Sequence, residues 1–569
     1  MKNIFKKILV SVLIALIILS VSPASTLSGI RLLSDLDVKA TALTSGDYAY
    51  EIRDSFAAIV GYKGDSSSII IPSELDGYTV TTIDQGVFAD KAFIEFVMLP
   101  ETLITIGASS TAFKGVFENC PKLKTVVMRT GTFDAVLGPE TFMNCKSLQS
   151  IVIPGNYAVI SENAFLGCTA LESVTLRKSD YAYANQIIEA GAFRGCTALS
   201  DITLPTTLTS IGAYAFYGTA IEIIKLPEGV ETVSYGAFAE LPNLTEVTLP
   251  TTLTSVGATN VAFTGAFENC PKLQKVTFRS GVSDAVLGSE TFMNCRSLQS
   301  VSIPGNYTTI RENAFSGCSS LQSVTLNKSD YGYANQVIEN NAFRDCPSLK
   351  RISLPTTLKA IEANAFAGSA VEELEIPEGV TTISYGAFAN SYKLKSVTLP
   401  STLTNIGAAN TAFTGAFENC SKLEKVLFAE GSKKLTIGAE TFMNCASLTT
   451  VHLPMNLSDI KQNVFYASTK NLTLCSKSYD SYAKEYADKN ALSFKLCDGN
   501  HKISTGLGDI NGDKEINSSD ALMILQHSVG KKKLSGYALF AADTTRDGYV
   551  NSSDALVILQ YAVGKRTEI

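Results

Sequence analysis

The stretch that decides the fold is residues 107–123, which read GASSTAFKGVFENCPKL. The same pattern returns at residues 257–273 as GATNVAFTGAFENCPKL and at residues 407–423 as GAANTAFTGAFENCSKL. Both offsets are 150 residues, so the chain contains two full copies of a long repeat and part of a third. A long repeat at a fixed spacing is typical of stacked architectures, in which each unit contacts only its neighbours.

A shorter unit lies inside each 150-residue copy. It is marked by a Phe after a small residue, often followed three residues later by Cys and then by Leu. From Phe117, the steps to each following marker Phe are 25, 23, 28, 23, 22 and 29 residues, ending at Phe267. Sixteen such units occur between Phe88 and Phe465. Periods of 20 to 30 residues predict a solenoid, here of about 16 coils.

Each unit has the pattern of a short strand followed by a turn. Residues Leu171–Leu176 (LESVTL) and Leu199–Leu204 (LSDITL) alternate apolar and polar residues, as half-buried strands do. Pro often follows, as at Pro205, and ends the strand because proline has no N–H to donate. One coil cannot bury its own apolar face, so we expect stacked coils to share continuous ladders of Leu, Ile and Phe.

These units resemble the BspA-type leucine-rich repeat of bacterial surface and secreted proteins. The resemblance covers roughly Asp65 to Phe465. It implies a curved, β-rich leucine-rich-repeat solenoid that serves adhesion or protein recognition and has no fixed catalytic site. We expect the coils at residues 81–465, with an N-terminal cap at residues 41–80 and a C-terminal cap at residues 466–497.

Composition and charge argue against several classes of function. The net charge of −7 and the pI near 5.3 disfavour a nucleic-acid partner, because phosphate binding needs an excess of Lys and Arg on one face. The chain has no Trp and three His, and no GxSxG or HExxH motif. Glycoside hydrolysis needs two acids facing each other across a cleft. Acids spread through repeats offer no unique site of this kind, so we predict no enzyme.

The first residues have the pattern of a secretory signal peptide at residues 1–24. Three lysines precede an apolar run, Ile8–Val21, and small residues that suit cleavage follow. The alternatives are cleavage as late as residue 40 and a single membrane anchor, although the run is shorter than the ~20 residues that span a bilayer. We expect a secreted, extracellular protein with no membrane span after signal removal.

Ten of the twelve cysteines occupy one position of the unit, three residues after the marker Phe. This spacing favours a buried ladder of small thiols over disulfides or a metal site, and no CxxC occurs. Cys475 and Cys497 lie outside the pattern, at the ends of two predicted strands with a helix predicted between them at residues 478–489. A disulfide between these two is a hypothesis, with free thiols as the alternative.

After a polar linker at residues 498–507, a duplication with an offset of 34 residues fills residues 508–565. Its halves begin GDINGDKEINSSDALMILQHSVGK at Gly508 and ADTTRDGYVNSSDALVILQYAVGK at Ala542. Oxygen ligands at loop positions 1, 3, 5, 7, 9 and 12, with a backbone carbonyl at position 7, have the spacing that suits Ca²⁺. The candidate ligands are Asp509, Asn511, Asp513, Glu515, Asn517 and Asp520 in the first loop, and Asp543, Thr545, Asp547, Tyr549, Asn551 and Asp554 in the second.

Each loop is followed by the pattern of a short amphipathic helix, and no helix pattern precedes either loop. We expect Ser519 or Asp520 to cap the first helix and Gly530 to end it. The second loop has Thr545 at a ligand position, so we expect it to bind calcium less tightly. Two such helices packed together predict a small all-α domain whose folding depends on the metal. The expected apolar face of the first helix is Ala521, Leu522, Ile524, Leu525 and Val529.

This duplication resembles the type I dockerin family, from Gly508 to about Lys565. The resemblance implies a domain that binds two calcium ions and docks onto a cohesin module of a scaffold protein, in the cellulosome-like assemblies of polysaccharide catabolism. In the family, loop residues 10 and 11 and one helix face contact the cohesin. In this chain those residues are Ser518, Ser519, Leu525, Gln526, Ser552, Ser553, Leu559 and Gln560. The near identity of the halves suggests that either can face the partner, in two orientations related by a half turn.

The sequence therefore predicts a secreted, non-catalytic binding protein, attached to the cell surface through a scaffold complex. Its solenoid is expected to recognise a protein, cell-surface or cell-wall ligand, either protein or glycan. The alternatives are a polysaccharide-degrading enzyme of a cellulosome and a free adhesin. Two insertions that lengthen certain coils are candidate ligand-contact loops, with packing inside the loop as the alternative reading of their paired tyrosines, Tyr181 and Tyr183, and Tyr331 and Tyr333.

Overall fold

The fold is described from a computed structural model, which defines residues 42–566 with gaps. The gaps are residues 108–110, 181–184, 258–261, 282–283, 330–334, 469, 497–506, 512, 514, 535 and 546–548. The predicted signal peptide, and all but the last residue of the predicted linker, lie outside the described residues. Within the described ranges, no helix is both long and apolar enough to cross a membrane.

One sheet of 20 strands runs along the described solenoid. At its N-terminal end, β1 (Leu43–Ser45), β2 (Tyr48–Arg53) and β3 (Phe56–Tyr62) pair antiparallel. From β3 onward, successive coils pair in parallel, and the short β5 (Glu74–Leu75) adds an antiparallel pairing at β6. The parallel strands are β6 (Tyr78–Ile83), β8 (Thr105–Ile106), β10 (Ala135–Leu137), β12 (Tyr157–Ile160), β14 (Gln186–Ile188), β16 (Leu208–Ile211), β18 (Thr232–Val233), β20 (Ser255–Val256), β22 (Ala285–Leu287), β24 (Tyr307–Ile310), β26 (Gln336–Ile338), β28 (Leu358–Ile361), β30 (Thr382–Ile383), β32 (Asn405–Ile406), β34 (Leu435–Ile437) and β36 (Leu457–Ile460).

A second set of strands forms three parallel sheets of six strands each. The first six-stranded sheet holds β4 (Ser68–Ile70), β7 (Phe96–Leu99), β9 (Thr125–Met128), β11 (Ser150–Ile153), β13 (Ser173–Leu176) and β15 (Asp201–Thr203). The second holds β17 (Ile223–Lys225), β19 (Glu246–Leu249), β21 (Lys275–Phe278), β23 (Ser300–Ile303), β25 (Ser323–Leu326) and β27 (Arg351–Ser353). The third holds β29 (Glu373–Glu375), β31 (Ser396–Leu399), β33 (Lys425–Phe428), β35 (Thr450–His452), β37 (Thr473–Ser476) and β38 (Ser493–Leu496). The breaks after β15 and β27 lie 150 residues apart, so they follow the long repeat.

The alternating pattern of the unit decides which side chains face the core. In β13, Val174 and Leu176 are buried, while Ser173 and Thr175, which alternate with them, are partly exposed. The parallel register places Val174 opposite Ile151 on one side and Ile202 on the other. Equivalent residues of successive coils therefore stack on one another, which confirms the predicted β-rich leucine-rich-repeat solenoid.

The marker phenylalanines form a single aromatic ladder through the core. All 16, from Phe88 to Phe465, stack on their neighbours in the next coil, with centroids 4.9 to 5.8 Å apart and rings within 16° of parallel. In the motif GAFENC the glycine allows a close approach of two coils, since a Cβ at Gly265 would lie 1.8 Å from the carbonyl oxygen of Glu290 in the next coil. The repeated GAFENC motif thus serves packing rather than chemistry.

Aromatic residues of the caps cover both ends of this ladder. Tyr62 of β3 packs against Phe88 at 5.0 Å, and Tyr48 packs against Tyr62 in turn. At the other end, Tyr486 of helix α1 (Tyr482–Lys489) meets Phe465 edge to face at 6.2 Å. The terminal coils of a solenoid have no neighbour on one side, so such covers keep the last rings out of water.

The C-terminal cap has the predicted order of strand, helix and strand, with β37 and β38 parallel. Helix α1 begins at Tyr482 rather than at residue 478, because the Ser481 side chain caps it by accepting from the backbone N–H of Lys484. Cys475 is buried and lies opposite Lys495 in the strand register. Cys497 lies outside the described residues, so the disulfide stays a prediction.

The ten repeat cysteines are fully buried, in keeping with the predicted thiol ladder. Each thiol donates to the backbone carbonyl of the marker Phe in the preceding coil, at 3.1 to 3.4 Å. Burial raises the pKa of the Cys120 thiol to about 11 and that of Cys318 to about 12. Ser468 takes the same position in the last coil, and its hydroxyl donates to the Phe442 carbonyl at 2.7 Å.

The described residues of the C-terminal domain form three helices, α2 (Ser518–Ser528), α3 (Gly536–Ala542) and α4 (Ser552–Ala562). Helices α2 and α4 pack against each other, as predicted. Helix α3 directly precedes the second loop and was not expected from the sequence. The buried core of this domain is small and consists of Ile510, Ala521, Ile524, Leu534, Ala541, Ala542, Ala555 and Ile558.

Two sequence-based expectations for α2 are wrong. Its N-cap is Asn517, not Ser519 or Asp520, because Asn517 accepts from a backbone N–H of the first turn and Asp520 bonds back to the Asn517 N–H in a capping box. The helix also does not bury its whole apolar face. Three of the five predicted core residues are exposed instead: Leu522 (54%), Leu525 (38%) and Val529 (67%).

Candidate functional site

The first loop of the C-terminal domain is closed by one buried carboxylate. Asp520, at loop position 12, accepts from the backbone N–H groups of Ile510 (2.7 Å), Asn511 (3.2 Å) and Asn517 (3.1 Å). The end of the loop is thereby held against its beginning. Asp509, at position 1, is also buried, with 2% of its surface exposed. Two acids without water around them need hydrogen-bond donors or a cation to be stable.

The middle of the first loop is a tight turn built from side-chain oxygens. The side-chain oxygen of Asn511 accepts from the Asp513 N–H at 2.9 Å, and an oxygen of Asp513 accepts from the Glu515 N–H at 2.8 Å. The Asn511 amide also donates to the other Asp513 oxygen at 2.8 Å. Positions 3 and 5 are therefore in direct contact, and the Glu515 side chain is exposed, as suits a position that supplies its backbone carbonyl.

The second loop repeats this arrangement around Asp554. Its carboxylate is buried and accepts from the backbone N–H groups of Thr545 (2.8 Å) and Asn551 (2.9 Å). The Thr545 hydroxyl also donates to Asp554, at 2.9 Å. Tyr549 is 74% exposed, which is compatible with a position that supplies only its backbone carbonyl. Asp543 is half-buried, and Asp547 lies outside the described residues.

The donor set of both loops fits calcium better than a softer metal. Carboxylate, amide and carbonyl oxygens are the ligands that Ca²⁺ takes, six to eight at a time. In the first loop, hydrogen bonds bring positions 3, 5, 9 and 12 together. Among the described side chains, no three of His, Cys, Asp and Glu gather closely enough to hold a metal.

The predicted cohesin-contact residues form two matching surfaces, one on each half of the domain. Ser518, Ser519, Ser552 and Ser553 are exposed at the starts of α2 and α4. Farther along, Leu525 and Leu559 are each 38% exposed, and Gln526 and Gln560 are each partly exposed. Their exposed neighbours match as well: Leu522 and Leu556 at 54%, and Val529 and Val563 at 67% and 68%. The two helices therefore present nearly identical apolar stripes.

The predicted ligand-contact tyrosines of the solenoid, Tyr181, Tyr183, Tyr331 and Tyr333, lie outside the described residues. The structure shows instead an aromatic surface that the sequence reading missed. Tyr214 packs edge to face on Tyr217 (5.7 Å) and Tyr235 (5.3 Å), and Tyr235 contacts Phe263 at 4.6 Å. The Arg194 guanidinium lies 5.3 Å from the rings of Tyr214 and Tyr217.

The long repeat contains the signal that would have identified this aromatic surface. One repeat later, Tyr385 and Phe413 keep the contact between Tyr235 and Phe263, at 4.7 Å. The positions of Tyr214 and Tyr217 are Asn364 and Ala367 in that copy. Comparing residues 150 apart therefore separates the aromatic contact that two copies share from the aromatic residues that occur in only one of them.

Both the solenoid and the two-loop domain have matches among known proteins. A family model described as BspA type leucine rich repeat region matches six overlapping segments, residues 62–186, 180–285, 261–336, 285–415, 336–473 and 412–506. A model for the dockerin type I domain matches residues 507–561. The chain therefore belongs to the BspA-type leucine-rich repeat family and carries a C-terminal type I dockerin domain. Type I dockerin domains generally bind calcium and imply a cohesin partner.

Several solved structures are similar to this chain. A leucine rich cell surface protein from Faecalibacterium prausnitzii A2-165 is 25% identical over 69% of this chain and 95% of that chain, with a TM-score of 0.36. A leucine-rich repeat protein from Bacteroides ovatus ATCC 8483 is 20% identical over 80% and 100%, with a TM-score of 0.34. The pneumococcal vaccine antigen PcpA is 16% identical over 80% and 98%, also at 0.34. No curated protein matches the chain in sequence.

Proposed function

We propose that this chain is a secreted, non-catalytic binding protein that docks onto a scaffold cohesin in the presence of calcium and presents its solenoid to a separate ligand. The observation that carries the proposal is the pair of matched helix surfaces, each beside a loop closed by a buried carboxylate. A small domain with so much exposed aliphatic surface is typical of a docking module. The family models found a repeat region and a dockerin, and no catalytic domain.

The calcium ions would stabilise the loops on which the docking surfaces depend. In the first loop, oxygen atoms of Asp509, Asn511, Asp513, Glu515, Asn517 and Asp520 would hold one ion. In the second loop, Asp543, Thr545, Asp547, Tyr549, Asn551 and Asp554 would hold the other. Ion binding offsets the charge of several close acids, so the loops and the helices they precede become ordered together.

Either half of the dockerin would bind the cohesin, because both halves present the same exposed residues. The test uses three variants. One double variant combines Ser518→Asp and Ser519→Asp in the first half, the other combines Ser552→Asp and Ser553→Asp in the second half, and a quadruple variant carries all four changes. Calorimetry with a cohesin should show near-normal affinity for each double variant and loss of binding for the quadruple one. Loss of binding in the first double variant alone would contradict two-way docking.

The solenoid would carry the recognition of the second ligand, a protein or a glycan. Its aromatic surface around Tyr214 and Tyr217 is a candidate site beside the paired-tyrosine loops, since aromatic faces bind both apolar side chains and sugar rings. Residues 42–496 without the dockerin, used as bait against cell-surface extract and plant cell wall, would identify the ligand class. Tyr214→Asn with Tyr217→Ala installs the residues of the next copy and should weaken capture by this surface without loss of folding.

Secretion follows from the apolar run at residues 8–21 and suits a dockerin, whose scaffold partners lie outside the cell. Attachment to the cell surface would then be indirect, through the scaffold complex. The polysaccharide-degrading alternative is tested by hydrolysis assays on plant glycans, which should show no activity. The free-adhesin alternative predicts ligand binding with no cohesin binding, in calcium or without it.

A further inference from the structure

The outward face of the first six-stranded sheet carries an exposed row of aliphatic side chains across four neighbouring strands. This aliphatic row consists of Ile70, Met98, Val127 and Val152. The register places Ile70 opposite Met98 and Met98 opposite Val127, and the pairing of β9 with β11 brings Val152 next. Ile70 is 61% exposed, Val127 36% and Val152 43%. Met98 is partly buried, with the Arg129 guanidinium 3.6 Å from its sulfur. With strands about 4.8 Å apart, the row is about 14 Å long.

Folding of the solenoid does not require this row, as the second copy of the long repeat shows. The matching strands β17, β19, β21 and β23 pair in the same parallel register. At the matching outward positions they carry Lys225, Thr248, Thr277 and Ser302. The same register therefore carries an aliphatic row in one place and a polar row in the other. Contiguous exposed apolar residues on a soluble protein mark an interaction surface.

Charged residues flank the aliphatic row on both sides, in pairs of opposite sign. On one side, Lys124 forms an ion pair with Glu95 at 2.9 Å, and on the other, Arg129 forms one with Glu101 at 3.4 Å. All four side chains are about half exposed. In the second copy, three of these four charges are absent, because the positions of Glu95, Glu101 and Lys124 hold Thr245, Thr251 and Gln274. The second copy pairs Lys275 with Glu246 and Arg279 with Glu228, both at 2.8 Å, so the charges beside its polar row occupy different positions.

The aliphatic row and the two ion pairs that flank it form a self-complementary surface. The centre of the row lies between β7 and β9. A half turn about an axis parallel to these strands, through that centre, brings Met98 onto the partner's Val127. The same half turn brings Lys124 onto the partner's Glu95, and Arg129 onto the partner's Glu101. Apolar residues then meet apolar residues, and each cation meets an anion.

We infer that this face is a dimer interface between two copies of the chain, related by such a half turn. Two-fold dimers with self-complementary surfaces are the commonest oligomers of soluble proteins. The row covers only a few hundred Å², roughly half or less of the ~800 Å² per partner of a stable interface, so the dimer is weak. If the proposed docking function holds, the dimer presents two dockerins and bridges two cohesins.

Sedimentation velocity of the full secreted chain in calcium tests the inference directly. The wild-type protein should pass from monomer to dimer as its concentration rises through the micromolar range. Val127→Thr with Val152→Ser installs the residues of the second copy and should raise the dimer dissociation constant by roughly a hundredfold, since each change occurs twice in the dimer. The control pair, Thr277→Ser with Ser302→Thr, lies at the same register in the second copy and should leave it unchanged.

Mixing two charge variants tests the geometry. Lys124→Glu and Glu95→Lys each break the ion pair within the chain and each place like charges opposite each other in their own homodimer. Each variant alone should dimerise more weakly than wild type. An equimolar mixture restores opposite charges only between chains and should dimerise again. A monomeric wild type, an unaffected Val127→Thr and Val152→Ser variant, or no recovery in the mixture would each overturn the dimer. Cohesin binding, measured on the same samples, reports the docking function separately.

Discussion

The solenoid and the dockerin derive their stability from different sources. The solenoid has one continuous buried core that extends from Tyr50 to Ala487, with stacked phenylalanines along it. Among the described residues, the dockerin core contains eight buried apolar side chains, four of which are alanines. Its loops enclose buried acids, Asp520 and Asp554. Repeated burial accounts for the stability of the solenoid, whereas the proposed calcium ions would add charge compensation that the small dockerin core does not supply.

Calcium removal should separate the two regions most clearly. Addition of a chelator leaves the loop acids without compensating charge, so the dockerin should lose its helical signal and its cohesin binding entirely. The thermal transition of the solenoid should not move. Circular dichroism and calorimetry, with and without chelator, measure both effects. An intact dockerin signal in chelator would show that the eight-residue core is sufficient by itself.

Breaking the aromatic ladder should have the reverse effect. Phe292→Ala leaves a gap between two stacked rings in the fully buried core, which should lower the free energy of unfolding of the solenoid by about 3–5 kcal/mol. Denaturant unfolding measures it, and cohesin binding should stay normal. The control is Phe113→Ala, because Phe113 is 51% exposed and its loss should cost less than ~0.5 kcal/mol. Equal costs for the two variants would contradict the ladder as the source of stability.

The two calcium loops can be compared by exchanging one residue. Thr545→Asp adds a carboxylate at position 3 of the second loop and should raise its calcium affinity about tenfold, because affinity follows ligand charge. Asn511→Thr places the second loop's residue at position 3 of the first loop. It removes an amide oxygen but no charge, so the calcium affinity of the first loop should fall by less than this factor. Isothermal titration resolves both sites. Unchanged affinity in both variants would show that position 3 contributes no ligand.

The smallest expected effect concerns the repeat thiols, which should stay unreactive while the solenoid is folded. Disulfide exchange needs the thiolate, and burial raises the pKa of the Cys318 thiol to about 12, from about 8.5 in an unfolded chain. At pH 9 the native thiol therefore stays protonated, whereas the unfolded one is largely ionised. Ellman's reagent should label none of the ten repeat cysteines before denaturation and all ten after it. Rapid native labelling would contradict a packed core.

The periodic features of the chain were predictable from its sequence. The capping residue of α2 and the exposed side of this helix were not. The spacing of Phe and the alternation of strands such as LESVTL implied coils, stacking and thiol burial. The capping residue of α2 was mistaken because Asn517, Ser518 and Ser519 are all good caps, and only the bond to Asp520 decides among them. Leu522 and Val529 were expected on the packed apolar face because an eleven-residue helix with apolar residues on two sides does not reveal which side its neighbour covers.

The sequence by itself determined the class of each region, because the repeat spacing and the loop spacing are local patterns that recur many times. Tertiary structure decided which apolar residues remain outside. Residues 125–128 read TVVM, with apolar residues at three successive positions, so their pattern does not say which face is buried. The parallel register with β7 and β11 turns Val126 inward and leaves Val127 in the aliphatic row. Surfaces that bind partners are set by such long-range pairing, since no single coil contains them.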